Sequence, residues 1–372
     1  MAKCFICQIA ICFLSQCSHA QMTFPADKQA TPETVHLYNN LKKLQGKGFM
    51  FGHQDDLAYG VNWKYTPGNS DIKEVTGDYP AVYGWELGHL ELDSIVNLDG
   101  VPFQQMKHFI QEGYERGGVI TISWHFTNAL TGKSAWDAVP GTVAAILPGA
   151  AKHDLYKSWL DKLARFMADL KSKKGVLIPV IFRPFHELNG SWFWWGKNLC
   201  TPDELKQLYQ FTESYLRDTK NIHNLLYAFN TDRFSSREEY LERFPGNEWV
   251  DVIGFDIYQR GKDNEKFAQE LDKSLSTLEA IAAEKNKIPA LTEFGYGQVP
   301  DSTWWTSALL KGIGAHKIAY ALAWRNAGKS ADGRYEYYVP YKGQVSANNF
   351  TEFYKDKRTL FQKEVTKEKL YD

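Results

Sequence analysis

Glu187 stands beside His186 and five residues ahead of Trp192, in the segment RPFHELNGSWFWWG at 183–196. A carboxylate walled by aromatic rings is desolvated, and desolvation disfavours its charged form, so it can hold a proton at neutral pH. A second glutamate, Glu293, lies in PALTEFGYG at 289–297. Two carboxylates facing one bond from opposite sides suit retaining glycoside hydrolysis, in which one gives a proton and the other attacks carbon. That chemistry asks for carboxyl groups roughly 5–5.5 Å apart. The plainer alternatives are a salt bridge from Glu187 to Arg183 and an internal ion pair for Glu293. The aromatic setting adds a reason for sugar, because the C–H face of a pyranose stacks on indole. Trp192, Trp194 and Trp195 share one loop, and Trp85, Trp124 and Trp324 fall near other strand ends. Trp195 and Trp124 are the ones best suited to plain core filling.

The elements that must position these groups alternate along the chain. Short β-branched or aromatic runs read as strands at Gly48–His53, Ala81–Glu86, Gly118–His125, Val176–Phe185, Leu225–Asn230, Val252–Tyr258, Ala290–Phe294 and Ile318–Trp324. Amphipathic stretches lie between them, among them LYKSWLDKLARFMADLKSKKG with Gly175 as its stop, and TPDELKQLYQFTESYLRD, opened by Thr201-Pro202 and Glu204. Eight strands alternating with helices fit an α/β fold, a (β/α)8 TIM barrel with long βα loops. The rival, a doubly wound sheet, wants a glycine-rich phosphate turn after the first strand, and FGHQDD stands there instead. Polar residues fall at the C-terminal strand ends, where such barrels place their sites: His53, Glu86, His89, His125, His186, Glu187, Asn230, Asp256, Tyr258, Glu293 and Arg325. Strands four and seven, which carry the two glutamates, oppose each other across the barrel.

The 372 residues are 15% aromatic with a net charge of -1, which gives no electrostatic case for nucleic acid or an anionic membrane. Residues 1–20 read as a secretory leader, with Lys3, an apolar run from Cys4 to Leu14 and small residues at 18 and 20. The remaining 21–372 are read as a single catalytic domain. The expected location is the periplasm or the extracellular space, with lipidation at Cys17 as the alternative. The apolar run is too short to span a bilayer. Four of the five cysteines lie in that leader, which leaves Cys200 without an internal disulfide partner. His53, His89, His125 and His186 could suggest a metal centre. The tight H-x-H, H-E-x-x-H and H-x-x-E-H spacings are missing, however, so no metal and no cofactor is expected.

The motifs FRPFHELNGSWFWWG, LTEFGY, GFDIY and AWRN together resemble glycoside hydrolase family 26, the β-mannanase family of the large retaining (β/α)8 clan. Histidine in front of the first glutamate is the specific detail, since most of that clan has asparagine there. The resemblance implies Glu187 as general acid/base and Glu293 as nucleophile. It implies that His186 and Tyr258 support the nucleophile by hydrogen bonds. It further implies sugar contacts for His125, Trp192 and Trp324, and a grip on the next sugar by Arg325. The expected reaction is retaining hydrolysis of β-1,4-mannan, glucomannan or galactomannan by a monomer. β-1,3-Xylan and mixed-linkage β-glucan stay open as substrates within the family. A sugar-binding barrel without catalysis and a metal-dependent hydrolase stay open outside it. The connection Thr127–His153 decides between chain-end and internal attack, and its residues do not say which.

Overall fold

The computed structural model describes Met1 and residues 23–329 and 333–372; the rest of the leader and the lipidation position Cys17 lie outside the described residues. Eight parallel strands close into a barrel: β1 Phe49–Gln54, β2 Val82–Glu86, β3 Val119–Ser123, β4 Val180–Arg183, β5 Leu225–Thr231, β6 Val252–Tyr258, β7 Ile288–Gly295 and β8 Tyr320–Ala323. β8 pairs with β1 to complete the ring, and Thr359–Leu360 adds a short strand beside β1. The expected fold is therefore the observed one. Among the described residues no helix is long and apolar enough to cross a membrane.

Each strand alternates between two environments, as its pleat requires. Inward residues Met50, Val82, Val119, Ile181, Leu226, Val252, Ile288 and Tyr320 form one apolar cluster. Leu37, Tyr38 and Leu41 of the helix Pro32–Leu44 belong to it too. Outward residues Phe51, Tyr83, Ile120, Phe182, Tyr227 and Phe255 pack in a larger cluster with the surrounding helices. Toward the C-terminal strand ends the inward positions turn polar, through Thr121, Ser123, Arg183, Asn230, Asp256 and Thr292, all buried. The barrel is thus apolar at its base and hydrogen-bonding at its top.

Most strand ends move by one or two residues from the sequence expectation, and three elements differ in ways that bear on the site. The fourth strand covers only Val180–Arg183 rather than Val176–Phe185. Before it, Ser172 donates to the Val176 carbonyl and Ile178 to that of Leu170, so the chain is still turning. After it, Phe185 has φ 52° and Glu187 φ 52°, which no strand accommodates. The helix read as running to Gly175 is His153–Asp169, ended by that same turn. The seventh strand is longer than expected and contains a bulge. Phe255 pairs with Leu291 but Asp256 with Glu293, so Thr292 is skipped. Leu291 faces outward while Thr292 reaches the inward Asp256, at 2.9 Å. The bulge lets Glu293 face inward as well.

The outer layer closes at β1, where Phe51 contacts the rings of Phe294, Trp305, Phe350, Phe353 and Phe361 at centroid distances of 5.0–6.4 Å. Phe51→Ala is expected to cost about 3–5 kcal/mol, the usual range for emptying such a site. A urea unfolding curve compared with the wild type measures it.

Candidate active site

Arg183, the last residue of β4, is buried and anchors the top of the barrel. One guanidinium nitrogen donates to Asn230 Oδ1 at 2.5 Å and Asp256 Oδ2 at 2.9 Å, the other to Glu293 Oε2 at 2.7 Å. Tyr258 donates its hydroxyl to Glu293 Oε1 at 2.5 Å, so both oxygens of this carboxylate are held. Burial pushes the Asp256 carboxyl up despite Arg183, and the charges of Glu293 and Glu187 add to that. Glu187, Asp256 and Glu293 each place an oxygen within 4.8 Å of the others. Arg183 supplies positive charge to two of the three, and a cation would have to displace it there.

Glu187 belongs to the turn after β4, and its surroundings are different. Its Oε2 accepts from Trp192 Nε1 at 2.6 Å. Burial first, then the charges of Glu293 and Asp232, raise its pKa to about 8; the Trp192 donor and Arg183 oppose this only in part. The two glutamates, one held by an arginine and a tyrosine and the other desolvated, can divide into a charged partner and a protonated one. Loop geometry follows from two glycines. A Cβ on Gly190 would lie 2.3 Å from the Trp192 ring, and one on Gly196 would lie 2.3 Å from the Gly190 carbonyl oxygen.

The histidines form a chain. Glu86, at the end of β2, accepts from the backbone of Gly88 and His125, from Ser123 Oγ and from His125 Nδ1, at 2.6–2.8 Å. Burial works against the charge on Glu86, but His125 outweighs it and lowers the pKa to about 2. Burial likewise opposes charging His125, and the Glu86 charge overrides it, so its pKa is raised. The other nitrogen of His125 lies 2.9 Å from His186 Nε2. His186, buried and beside two cations, is pushed well below its ordinary pKa. The two rings thus share one hydrogen bond between their Nε2 atoms, and His125 is the more readily protonated of the pair.

The expected residues distribute as follows. Glu187, Glu293 and Tyr258 converge. His186 does not bond Glu293: its Nε2 is taken by His125, and Arg183 fills the expected role. The proposed Arg183–Glu187 salt bridge is replaced by pairs to Asp256 and Glu293. Trp192 is the rim indole, 38% exposed, whereas Trp85, Trp124, Trp194 and Trp195 are all core. Half-buried Trp324 stands edge-on to His125 with centroids 6.5 Å apart. Arg325 lies 3.3 Å from Asp99 and 3.5 Å from Glu336. It lines a cavity of about 390 Å³ with Tyr59, Trp63 and Lys64. Sequence reasoning missed Arg183 as a partner of the nucleophile candidate and Asp256 as the second carboxylate that Arg183 holds, though both stand inside the quoted motifs. It also missed Trp136 of the connection Thr127–His153, which stacks on His125 at 5.1 Å with planes 11° apart. Nothing in the pattern around Trp136 marks it.

Arg183→Met leaves Asp256 and Glu293 without their counter-charge, which is expected to cost about 3–5 kcal/mol of stability at neutral pH. A urea unfolding curve at neutral pH, compared with the wild type, measures it.

The family model for glycosyl hydrolase family 26 matches residues 26–331. A mannan endo-1,4-beta-mannosidase of Bifidobacterium adolescentis is 33% identical over 356 residues, covering 90% of this chain and 35% of that protein. The chain thus spans about a third of that relative's length. A GH26 beta-mannanase from Bacteroides ovatus superposes with TM-score 0.86 at 44% identity, over 90% of this chain and 97% of that one. The catalytic domain of a Bacillus sp. JAMB-750 GH26 endo-beta-1,4-mannanase does so with TM-score 0.87 at 33% identity, over 94% and 97%. Taken with the closed barrel and its opposed carboxylates, these matches mean that the chain belongs to glycoside hydrolase family 26.

Proposed function

We propose that the chain is a retaining β-1,4-mannanase acting on mannan, glucomannan or galactomannan, with Glu293 as nucleophile and Glu187 as general acid/base. The observation that carries the reading is the pair of carboxylates, oxygens within 4.8 Å, with opposed environments. Glu187, with its pKa raised to about 8, is protonated in the free enzyme at neutral pH and can give its proton to the leaving oxygen. Glu293, oriented by Arg183 and Tyr258, attacks the anomeric carbon. Esterification of Glu293 then removes one of the charges that raised Glu187. Its pKa falls, and it can take the proton from the water that releases the sugar. Trp136 stacks on His125 and Trp324 stands edge-on to it, rings of the kind on which a sugar can rest. The relatives' named activity on β-1,4-mannan favours that substrate over β-1,3-xylan and mixed-linkage glucan.

Glu187→Ala is expected to reduce turnover on polymeric mannan by about 10²–10⁴-fold, the worth of a positioned general acid. Glu293→Ala should lower it by at least as much. In the wild type, kcat/KM should fall as pH rises through about 8, because ionised Glu187 has no proton to give. Reducing-sugar release from mannan, glucomannan, β-1,3-xylan and mixed-linkage glucan checks both the mechanism and the substrate. A near-normal rate in either variant refutes the roles, and preference for xylan or glucan refutes the substrate.

A further inference from the structure

A cavity of about 440 Å³ opens beside the proton donor, lined by Glu187, Trp192, Tyr258, Asp232, Arg233 and Arg260. The first three already have tasks; the other three do not. Asp232 and Arg233 follow directly on β5, and Arg260 lies two residues beyond β6. Asn189, two residues after Glu187, ties this wall to the turn that carries the acid. Its Oδ1 accepts from the Asp232 backbone at 2.7 Å and its Nδ2 donates to the Arg233 carbonyl at 2.8 Å. The Asn189 side chain therefore pins the backbone of Asp232 and Arg233 to the turn that carries Glu187.

The two arginines differ. Arg233 is engaged with Glu270 at 3.0 Å and with the Tyr258 carbonyl. Arg260 is exposed, and among the described residues no hydrogen bond or salt bridge holds it. One half-buried carboxylate, one unengaged guanidinium and one exposed indole thus face a single cavity. A carboxylate accepts from adjacent hydroxyls, a guanidinium donates to hydroxyl and ring oxygens, and an indole covers a C–H face. The set suits a neutral hexopyranose. It does not suit an anionic group, which Asp232 would repel, or a bare hydrocarbon, which would leave both charges unsatisfied.

We propose that Asp232 and Arg260, with Trp192, form the subsite that grips the first sugar on the leaving-group side. This rests on Glu187 being the proton donor, since the cavity is named from that end. Asp232 then has a second effect, because its negative charge also raises the pKa of Glu187. The sugar that binds Asp232 is the one whose oxygen receives the proton, so recognition and protonation share a group.

The test compares Asp232→Asn, Arg260→Ala and Arg260→Lys on two substrates. Mannotetraose needs both a leaving-group sugar site and a proton. A dinitrophenyl β-mannobioside needs neither, because its leaving group departs as a stable anion. The Asn and Ala variants are expected to lose about tenfold or more in kcat/KM on mannotetraose, and several-fold less on the aryl substrate. Arg260→Lys should recover part of the loss. The basic limb of the mannotetraose pH profile should move to lower pH in Asp232→Asn. Unchanged mannotetraose kinetics, or equal losses on both substrates, overturns the subsite while leaving the proposed activity intact. A wild-type enzyme that cleaves neither substrate overturns the activity and the subsite with it.

Discussion

A buried guanidinium sets the terms for the top of this barrel. Three carboxylates whose oxygens lie within 4.8 Å could not share a desolvated space as anions without a counter-charge. Arg183 provides it asymmetrically, reaching Asp256 and Glu293 but not Glu187. That asymmetry makes two chemically identical side chains behave differently. The same short segment supplies both halves of the arrangement: Arg183 ends β4 and Glu187 follows four residues later. The electrostatics of the two glutamates are therefore linked covalently as well as through space.

Around this centre the remaining polar groups are arranged by sign. On one side a buried glutamate, Glu86, raises the pKa of His125, which is hydrogen-bonded in turn to His186. On the other, Asp232 faces Glu187 across an open cavity. Aromatic side chains divide the labour similarly. Trp194 and Trp195 fill the layer behind the loop, their N–H groups satisfied by the carbonyls of Phe126 and His186. Trp192 alone of that loop's three indoles reaches solvent and spends its N–H on the acid. The run of tryptophans is thus a scaffold with one working member.

Much of this was legible before any coordinates. Strand count, alternation and the polar residues at the strand ends follow from periodicities that the physics of pleats and helices imposes. Glu187 and Glu293 stand out because charged groups in apolar runs need a reason. The parts that were not legible depend on contacts across the barrel. Nothing local distinguishes Arg183 reaching Glu293 from Arg183 reaching Glu187, and the structure chooses the former. The bulge at Thr292 breaks the two-residue period that strand reading relies on, so the inward direction of Glu293 could be inferred only from its chemistry. Trp136 sits in an irregular connection, where no periodicity predicts what a side chain covers.

Phe185 and Glu187, with φ at 52°, also carry a consequence for how the protein can change over time. Left-handed backbone costs an L-residue roughly 1–2 kcal/mol, and glycine is spared that cost. The position of the acid is thus one where a glycine would relieve the backbone and end the chemistry. Mutations that stabilise the fold and mutations that preserve activity pull in opposite directions there. Selection for thermal robustness alone would be expected to erode this turn first, and selection for turnover to keep it strained.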